Sequence, residues 1–206
     1  MLRQGRTVSE IIDHLRRMFG VRSTILPMSN ECVETRVITP QGEISFQEFF
    51  VKERWASEVT AVRFAGSEES HPAPGVLEAI DDAKAIIVCP SNPITSIGPI
   101  LAVPGIRSAL ESTAAPIVGV SPMIGATAVS GPAHKLMIAS GFEASAFGVA
   151  KCYAEFLDTL LVADQDNWLC EQIESLNVKM IATDIRMPGL ADKRRLARQV
   201  LALAQK

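Results

Sequence analysis

The chain has 206 residues, a formal net charge of −3, 48% apolar and 21% charged residues, which is typical of a globular protein large enough for a full core. Its lysines and arginines are scattered and its apolar runs are far shorter than a membrane span, so we expect neither a nucleic-acid-binding surface nor a membrane segment. The first residues show no apolar region of a secretory signal. The four cysteines form no Cys-x-x-Cys pair, which favours reduced, mostly buried thiols in a cytoplasmic protein.

A capping box opens the chain, because Thr7 and Glu10 have the spacing in which each side chain binds the other residue's backbone N–H. The apolar positions that follow form one helical stripe: Val8, Ile11, Ile12, Leu15, Met18 and Phe19. Gly20 ends the pattern. We therefore expect an amphipathic helix that packs on the core.

Strand patterns separated by turns come next, at residues 24–28, 33–39, 43–46 and 59–64. The Pro40-Gln41-Gly42 turn predicts a hairpin, and we interpret residues 24–64 as an antiparallel excursion. An aromatic cluster lies within it: Phe46, Phe49, Phe50 and Trp55. Such a cluster could stack a flat ligand, but it is more often a satellite core beneath a hairpin, which is the interpretation we favour.

The segment 74–206 alternates helices with strands, which predicts a parallel sheet covered by helices on both faces. The predicted helices are 74–83, 103–111, 132–140, 145–157, 167–176 and 190–204, and the predicted strands are 85–89, 116–120, 159–163 and 178–182. The last helix carries basic residues mostly on one side, Lys193, Arg194, Arg195 and Arg198, which we interpret as a solvated face.

The first of two polar loops follows the strand at 85–89. Hydroxyl and amide groups for a ligand would come from Ser91, Asn92, Thr95 and Ser96. Gly98 would allow a close backbone approach, and free N–H groups at the next helix start would suit an anion. The alternative is a proline-rich turn in which Ser and Asn simply cap the helix, and the residues alone do not choose between the two.

The second loop follows the strand at 116–120 and runs from Ser121 to Gly125. Residues 130–132 predict a helix entry with Gly131 in it, and Lys135 in the first turn could meet a phosphate as a point charge. The two loops together predict a site for an anionic, phosphorylated ligand.

Three carboxylates at strand ends could bind Mg²⁺, namely Asp164, Asp166 and Asp184. Helix capping is the interpretation we favour for them. The sequence contains neither a Walker A loop nor a Gly-x-Gly-x-x-Gly motif.

At these loops the sequence resembles the 2-phospho-L-lactate transferases of deazaflavin coenzyme F(420) biosynthesis. The resemblance is carried by Ile25-Leu26-Pro27-Met28-Ser29, Phe46-Gln47-Glu48-Phe49, Pro90 to Ile100, Val103 to Arg107, Val120 to Gly125 and Ser130 to Met137. It implies a Rossmann-like α/β fold with a small antiparallel insertion, and a homodimer.

The resemblance also implies a reaction. A 2-phospholactyl or enolpyruvyl-phosphate group would pass from a guanosine-diphosphate-activated donor to the deazaflavin Fo, with Mg²⁺ assisting and GMP leaving. The residues that it implies for holding the nucleotide or the phosphates are Ser91, Asn92, Thr95, Ser96, Gly98, Ser121, Gly125, Gly131 and Lys135.

One departure from the family concerns the N-terminal strands. Family members begin with a strand and a Gly-rich loop, followed by an acidic segment, whereas this sequence resembles the family from the helix at Thr7 onward. We therefore expect a partial transferase domain over residues 1–206, without the principal deazaflavin contacts and metal ligands and inactive alone. No catalytic residue is assigned.

A non-catalytic alternative is a nucleotide- or nucleotide-sugar-binding regulator of the gluconeogenesis-factor type, which has a similar fold. An inactive truncated remnant is the other alternative. The Phe-Gln-Glu-Phe stretch at residues 46–49 and the polar run at residues 91–98 favour the transferase.

Overall fold

A computed structural model describes residues 1–129 and 131–204 of the chain. The strands are β1 (Glu34–Thr39), β2 (Gly42–Ser45), β3 (Ala61–Ala65), β4 (Ile86–Val88), β5 (Ile117–Val120), β6 (Met123–Ile124), β7 (Thr127–Ala128), β8 (Thr159–Ala163) and β9 (Lys179–Thr183). The α-helices are α1 (Val8–Met18), α2 (Val76–Asp81), α3 (Gly98–Leu101), α4 (Ile106–Ser112), α5 (Ala133–Ala139), α6 (Ala146–Tyr153), α7 (Cys170–Glu174) and α8 (Leu190–Leu203). Shorter turns are π-helical at Glu48–Lys52 and Pro93–Ile97 and 3₁₀ at Leu2–Gln4 and Asp164–Leu169.

The predicted parallel sheet is confirmed, with the strand order β4-β5-β8-β9. Side chains of β8 alternate between two cores, because Leu160 and Val162 pack into the larger cluster while Leu161 and Ala163 pack into a second cluster. The second cluster includes Leu196 and other residues of α8. Both faces of the sheet are therefore covered, which is why β5 and β8 are buried along their whole length.

The antiparallel insertion is confirmed as a three-stranded sheet in the order β2-β1-β3. The predicted hairpin has Thr39 opposite Gly42. The strand predicted at 24–28 is wrong: these residues belong to no strand, and the nearby contacts are a hydrogen bond from the Ala73 N–H to the Met28 carbonyl and one isolated bridge between Ser29 and Pro72. Pro27 lacks the N–H that a ladder would require.

Helix α1 begins with the predicted capping box at Thr7. The expectation that it packs on the core is wrong, because none of its residues is buried and Phe19, which caps it, is 80% exposed. The thiols also differ from expectation: all four are free, but Cys32 and Cys89 are exposed, and only Cys152 is buried. Burial raises the pKa of the Cys152 thiol to about 12.

None of the helices that the structure describes is both long and apolar enough to cross a lipid bilayer.

Candidate functional site

A cleft of about 1120 Å³ lies at the carboxyl edge of the parallel sheet, which is where open α/β sheets bind ligands. Its lining comes from the segments that follow β4, β5 and β9 and from aromatic residues of the insertion. Six of the nine residues chosen from the sequence line it: Ser91, Asn92, Thr95, Ser96, Ser121 and Gly131. Gly98, Gly125 and Lys135 lie elsewhere.

The first loop is more regular than expected, because Pro93–Ile97 forms a π-helical turn that continues directly into α3. The Asn92 side-chain oxygen accepts hydrogen bonds from the N–H groups of Ile94 (2.9 Å) and Thr95 (3.3 Å). The N–H groups of Ser96 and Ile97 donate to the Asn92 carbonyl. Every backbone N–H from residue 94 to 97 thus has an acceptor, and Pro93 has no N–H. The capping alternative describes the Asn92 side-chain oxygen, and the side-chain groups left for a ligand are the hydroxyls and the Asn92 amide NH₂.

Gly98 serves packing rather than ligand approach in this structure. A Cβ added to it would lie 2.7 Å from the Phe64 ring and 3.2 Å from the Pro93 carbonyl oxygen. Gly98 and its neighbours Phe64 and Pro93 line a separate cavity of about 350 Å³ on the side of the insertion.

The second loop contains the short hairpin β6-β7, which the sequence patterns did not show. Ser121 is buried, and its hydroxyl accepts a hydrogen bond from the Met123 N–H at 3.0 Å. The Gly125 N–H donates to both carboxylate oxygens of Asp166, each at 3.0 Å. Asp166 is only 1% exposed, so the expectation that it caps the following helix is wrong: it holds the hairpin instead.

Lys135 is not part of the cleft lining, although it contacts a residue that is. Its Nζ donates to the carbonyl oxygens of Trp55 (2.8 Å), Ala56 (3.3 Å) and Ser57 (3.0 Å), which uses all three ammonium hydrogens. Gly131, at the entry to α5, lies beside the Phe50 ring. Ser130 lies outside the described residues.

The segment after β9 completes the cleft; of its residues only Asp184 was singled out from the sequence, as a possible Mg²⁺ ligand or helix cap. The lining includes Asp184 to Pro188, and Lys193 from α8. The Arg186 guanidinium donates to the Asp184 carboxylate at 2.9 Å, which holds the pKa of Asp184 below its usual range and raises that of Arg186. Arg195 donates to the Asp184 carbonyl at 2.6 Å and so fixes the segment. The segment directly follows the end of another parallel strand, and this position was the signal that could have indicated its place in the cleft.

Lys193 differs from Arg186 in having no ion pair with any described residue. It lies in the first turn of α8, whose basic side was interpreted from the sequence as a solvated face. In the described parts of the chain it is the cation of the cleft whose charge is uncompensated, which makes it the better candidate for the phosphate contact that the sequence suggested for Lys135.

The cleft does not offer a set of ligands for Mg²⁺. The carboxylate in its described lining is Asp184, which is engaged by Arg186. Across residues 1–129 and 131–204, no group of three or more His, Cys, Asp or Glu side chains could hold a metal ion.

The aromatic cluster is split between two environments. Phe49 is fully buried and belongs to the main core, against which Phe46 also packs, whereas Phe46, Phe50 and Trp55 line the cleft. The interpretation as a satellite core is therefore wrong, because the buried ring of Phe49 joins the main core, and the alternative of a surface for a flat ligand stays a prediction for Phe50 and Trp55.

Comparisons with known proteins agree with the sequence resemblance. The family model described as "2-phospho-L-lactate transferase CofD" matches residues 1–201. The chain is 41% identical over 203 residues to a 2-phospho-L-lactate transferase of Methanococcoides burtonii, covering 98% of this chain. It is 42% identical over 212 residues to a phosphoenolpyruvate transferase of Streptomyces griseus, covering all of this chain. The chain spans 66% of the length of each relative.

A solved structure supports the fold. A UPF0052-family protein of Bacillus halodurans superposes with a TM-score of 0.66 at 17% identity, covering 94% of this chain and 66% of that one. At that identity the likeness concerns the architecture alone.

Proposed function

The chain belongs to the 2-phospho-L-lactate transferase family, and we propose that its cleft binds the nucleotide-activated donor of such a transferase. In the proposed reaction, a 2-phospholactyl or enolpyruvyl-phosphate group moves from a guanosine-diphosphate-activated donor to the deazaflavin Fo. A hydroxyl oxygen of Fo forms a bond to phosphorus, the bond between that phosphorus and GMP breaks, and GMP leaves.

One observation carries the proposal: hydroxyl groups and cations converge on a single cleft at the carboxyl edge of the sheet. Ser91, Thr95 and Ser96 supply the hydroxyls, and Lys193 supplies the positive charge that no described residue pairs, beside the ion pair of Arg186 with Asp184. A diphosphate needs such donors, and a fixed cation also stabilises the charge that develops on a leaving phosphate.

The described lining offers no free carboxylate or histidine to accept a proton from the acceptor hydroxyl. We therefore expect the 206-residue chain alone to bind the donor without turning it over. Mg²⁺ stays an expectation from the family, and no step of the proposal depends on it, because the described residues do not form a site for it.

The identity of the transferred group is left open by the relatives. A 2-phospho-L-lactate transferase and a phosphoenolpyruvate transferase match at 41% and 42% identity, which is too small a difference to favour either name. Titration of the chain with both activated donors would compare them directly.

Calorimetric titration with GDP tests the donor site. We expect Lys193→Gln to weaken GDP binding by about tenfold or more, because a hydrogen bond to a charged group contributes roughly 1.5–3 kcal/mol. Arg194→Gln is the matched control: it removes the same charge from the same helix, but Arg194 does not line the cleft. Equal effects of the two substitutions would contradict the proposal.

Two further measurements separate the alternatives. Tighter binding of a UDP-sugar than of GDP would favour the nucleotide-sugar-binding regulator. Turnover of Fo by this chain alone would contradict the expectation that it only binds.

A further inference from the structure

Two aromatic rings in the cleft are left half-covered by the protein. Phe50 is 37% exposed and Trp55 is 40% exposed, and their ring centroids lie 5.1 Å apart with the planes inclined by 38°. Phe46 supports Phe50 from a centroid distance of 5.5 Å. Exposed aromatic faces that line a cleft are suited to stacking with a planar heteroaromatic ring.

The backbone that presents Trp55 is strained. Arg54 and Trp55 have φ values of +49° and +50°, in the left-handed region that bulky residues avoid. They follow the π-helical turn Glu48–Lys52, where a helix end would ordinarily place glycine. Two consecutive non-glycine residues hold this conformation only where their surroundings enforce it, and such strain is concentrated at functional sites.

Lys135 contributes to that enforcement, together with the hydrogen bond from the Trp55 N–H to the Phe49 carbonyl at 2.9 Å. Its ammonium group binds the carbonyl oxygens of Trp55, Ala56 and Ser57, three successive residues. Because one ammonium group donates to these three carbonyl oxygens, about 80 residues earlier in the chain, it restricts the backbone conformation of that segment. Because Lys135 stands on α5, it ties the aromatic segment to the α/β part of the chain.

We propose that Phe50 and Trp55 form a stacking platform for a planar heteroaromatic ring, and that Lys135 is the residue that positions Trp55 for it. The proposal deepens the proposed function, since it concerns the same cleft. The ring has two possible sources, the guanine base of the donor and the deazaflavin ring of the acceptor, and the experiment distinguishes them.

The platform is tested in a Trp168→Phe background. The chain has two tryptophans, and Trp168 is 67% exposed and does not line the cleft, so Trp55 becomes the sole tryptophan reporter. Affinities for GDP, Fo and inorganic pyrophosphate are measured by calorimetry. Trp55→Ala is expected to weaken one ring-containing ligand by about tenfold, the typical effect of losing a stacked aromatic. Pyrophosphate, which has no ring, should bind unchanged, and Trp55→Phe should retain most of the affinity.

The outcomes are separable. Loss of GDP affinity alone assigns the platform to guanine, and loss of Fo affinity alone assigns it to the deazaflavin. Unchanged affinity for both ligands, equal weakening of pyrophosphate, or no binding of either ring ligand overturns the platform. Fo binding that depends on Trp55 in a protein that does not bind GDP would support the platform and contradict the donor site.

The positioning role of Lys135 has its own readout. Lys135→Met should change the tryptophan emission and near-ultraviolet circular dichroism of Trp55 and lower ring affinity several-fold, while far-ultraviolet circular dichroism stays native. Lys135→Arg should restore both, because a guanidinium also donates to several carbonyls. An unchanged Trp55 signal in the methionine variant overturns the role of Lys135. If Lys135→Met does not fold, Lys135→Arg is the test. Native spectra of Lys135→Arg without native affinity for the ring ligand would also overturn the positioning role of Lys135.

Discussion

The two sides of the cleft are held in place in different ways. The side formed by the parallel sheet edge is fixed by local caps and by Asp166, whose carboxylate binds the Gly125 N–H. The aromatic side comes from the insertion, where a strained segment is tied by Lys135 to α5. One side is therefore set by the sheet beneath it, and the other is held by the buried Phe49 ring and by one long side chain from α5.

This difference changes which residues are available to a ligand. On the sheet side, Asn92 and Ser121 use their side chains to satisfy nearby backbone groups. On the aromatic side, Lys135 is equally occupied. The groups that face the cleft with few protein contacts are Lys193 and Trp55, which a sequence pattern does not distinguish from ordinary surface residues.

The largest effect is expected from breaking the sheet side at Asp166. Asp166→Ala should lower the free energy of unfolding by about 2–3 kcal/mol, because it leaves the Gly125 N–H without its charged acceptor. It should also weaken GDP binding through the displaced hairpin. Urea denaturation and calorimetry measure the two effects.

Asp164→Ala is the control for that substitution. Asp164 is exposed two residues away, and its side chain makes no hydrogen bond with the described part of the chain. A loss of stability in the control as large as that in Asp166→Ala would show that the Asp166–Gly125 contact does not hold the hairpin.

Much of the fold could be predicted from the sequence because its signals are local. The capping box at Thr7, the turn before Gly42 and the buried run of β8 each depend on residues within a few positions of one another. These local signals led to the prediction of an α/β architecture, which the structure confirms. The exposure of the apolar stripe of α1 could not be predicted from local signals, because the burial of a helix depends on which other elements of the fold pack against it.

The site was less predictable because its decisive contacts span long stretches of sequence. The Asp166–Gly125 bond joins residues 41 positions apart, and the contact of Lys135 with Trp55 spans 80 positions. Local spacing indicated that the loops after β4 and β5 meet at one edge. It could not show that Lys193, and not Lys135, lines the cleft.

A smaller effect is expected at Gly98, where the two sides meet through packing. Gly98→Ala should lower the free energy of unfolding by about 1 kcal/mol, because overpacking against the Phe64 ring and the Pro93 carbonyl outweighs the better helix propensity of alanine. GDP affinity of the folded protein should stay the same. The double variant Gly98→Ala with Phe64→Leu should recover part of the lost stability. If this stable double variant binds GDP more weakly than the unchanged protein, Gly98 contributes to the ligand site after all.

The smallest effect is expected far from the cleft, in the sheet that carries the aromatic side. Hydrogen bonds from Arg63 and then Arg36 lower the pKa of Glu43 from 4.5 to about 2. A carboxylate whose pKa falls on folding stabilises the folded state above pH 4.5, and that stabilisation is lost as the pH falls toward 2. Glu43→Gln should therefore lower the thermal midpoint slightly at pH 7 and reduce its decline between pH 4.5 and 2.

Glu58→Gln is the matched control, because Glu58 is exposed on the same insertion and makes no ion pair with a described residue. The thermal midpoints of both variants are measured between pH 7 and 2, and their slopes on the acid side are compared. If both show the same acid-side slope, the pairing of Glu43 with Arg63 and Arg36 contributes nothing to the pH dependence. If only Glu43→Gln has the reduced slope, protonation of the arginine-bound Glu43 carboxylate destabilises the insertion in acid, and the aromatic side that the insertion carries should loosen as the pH falls.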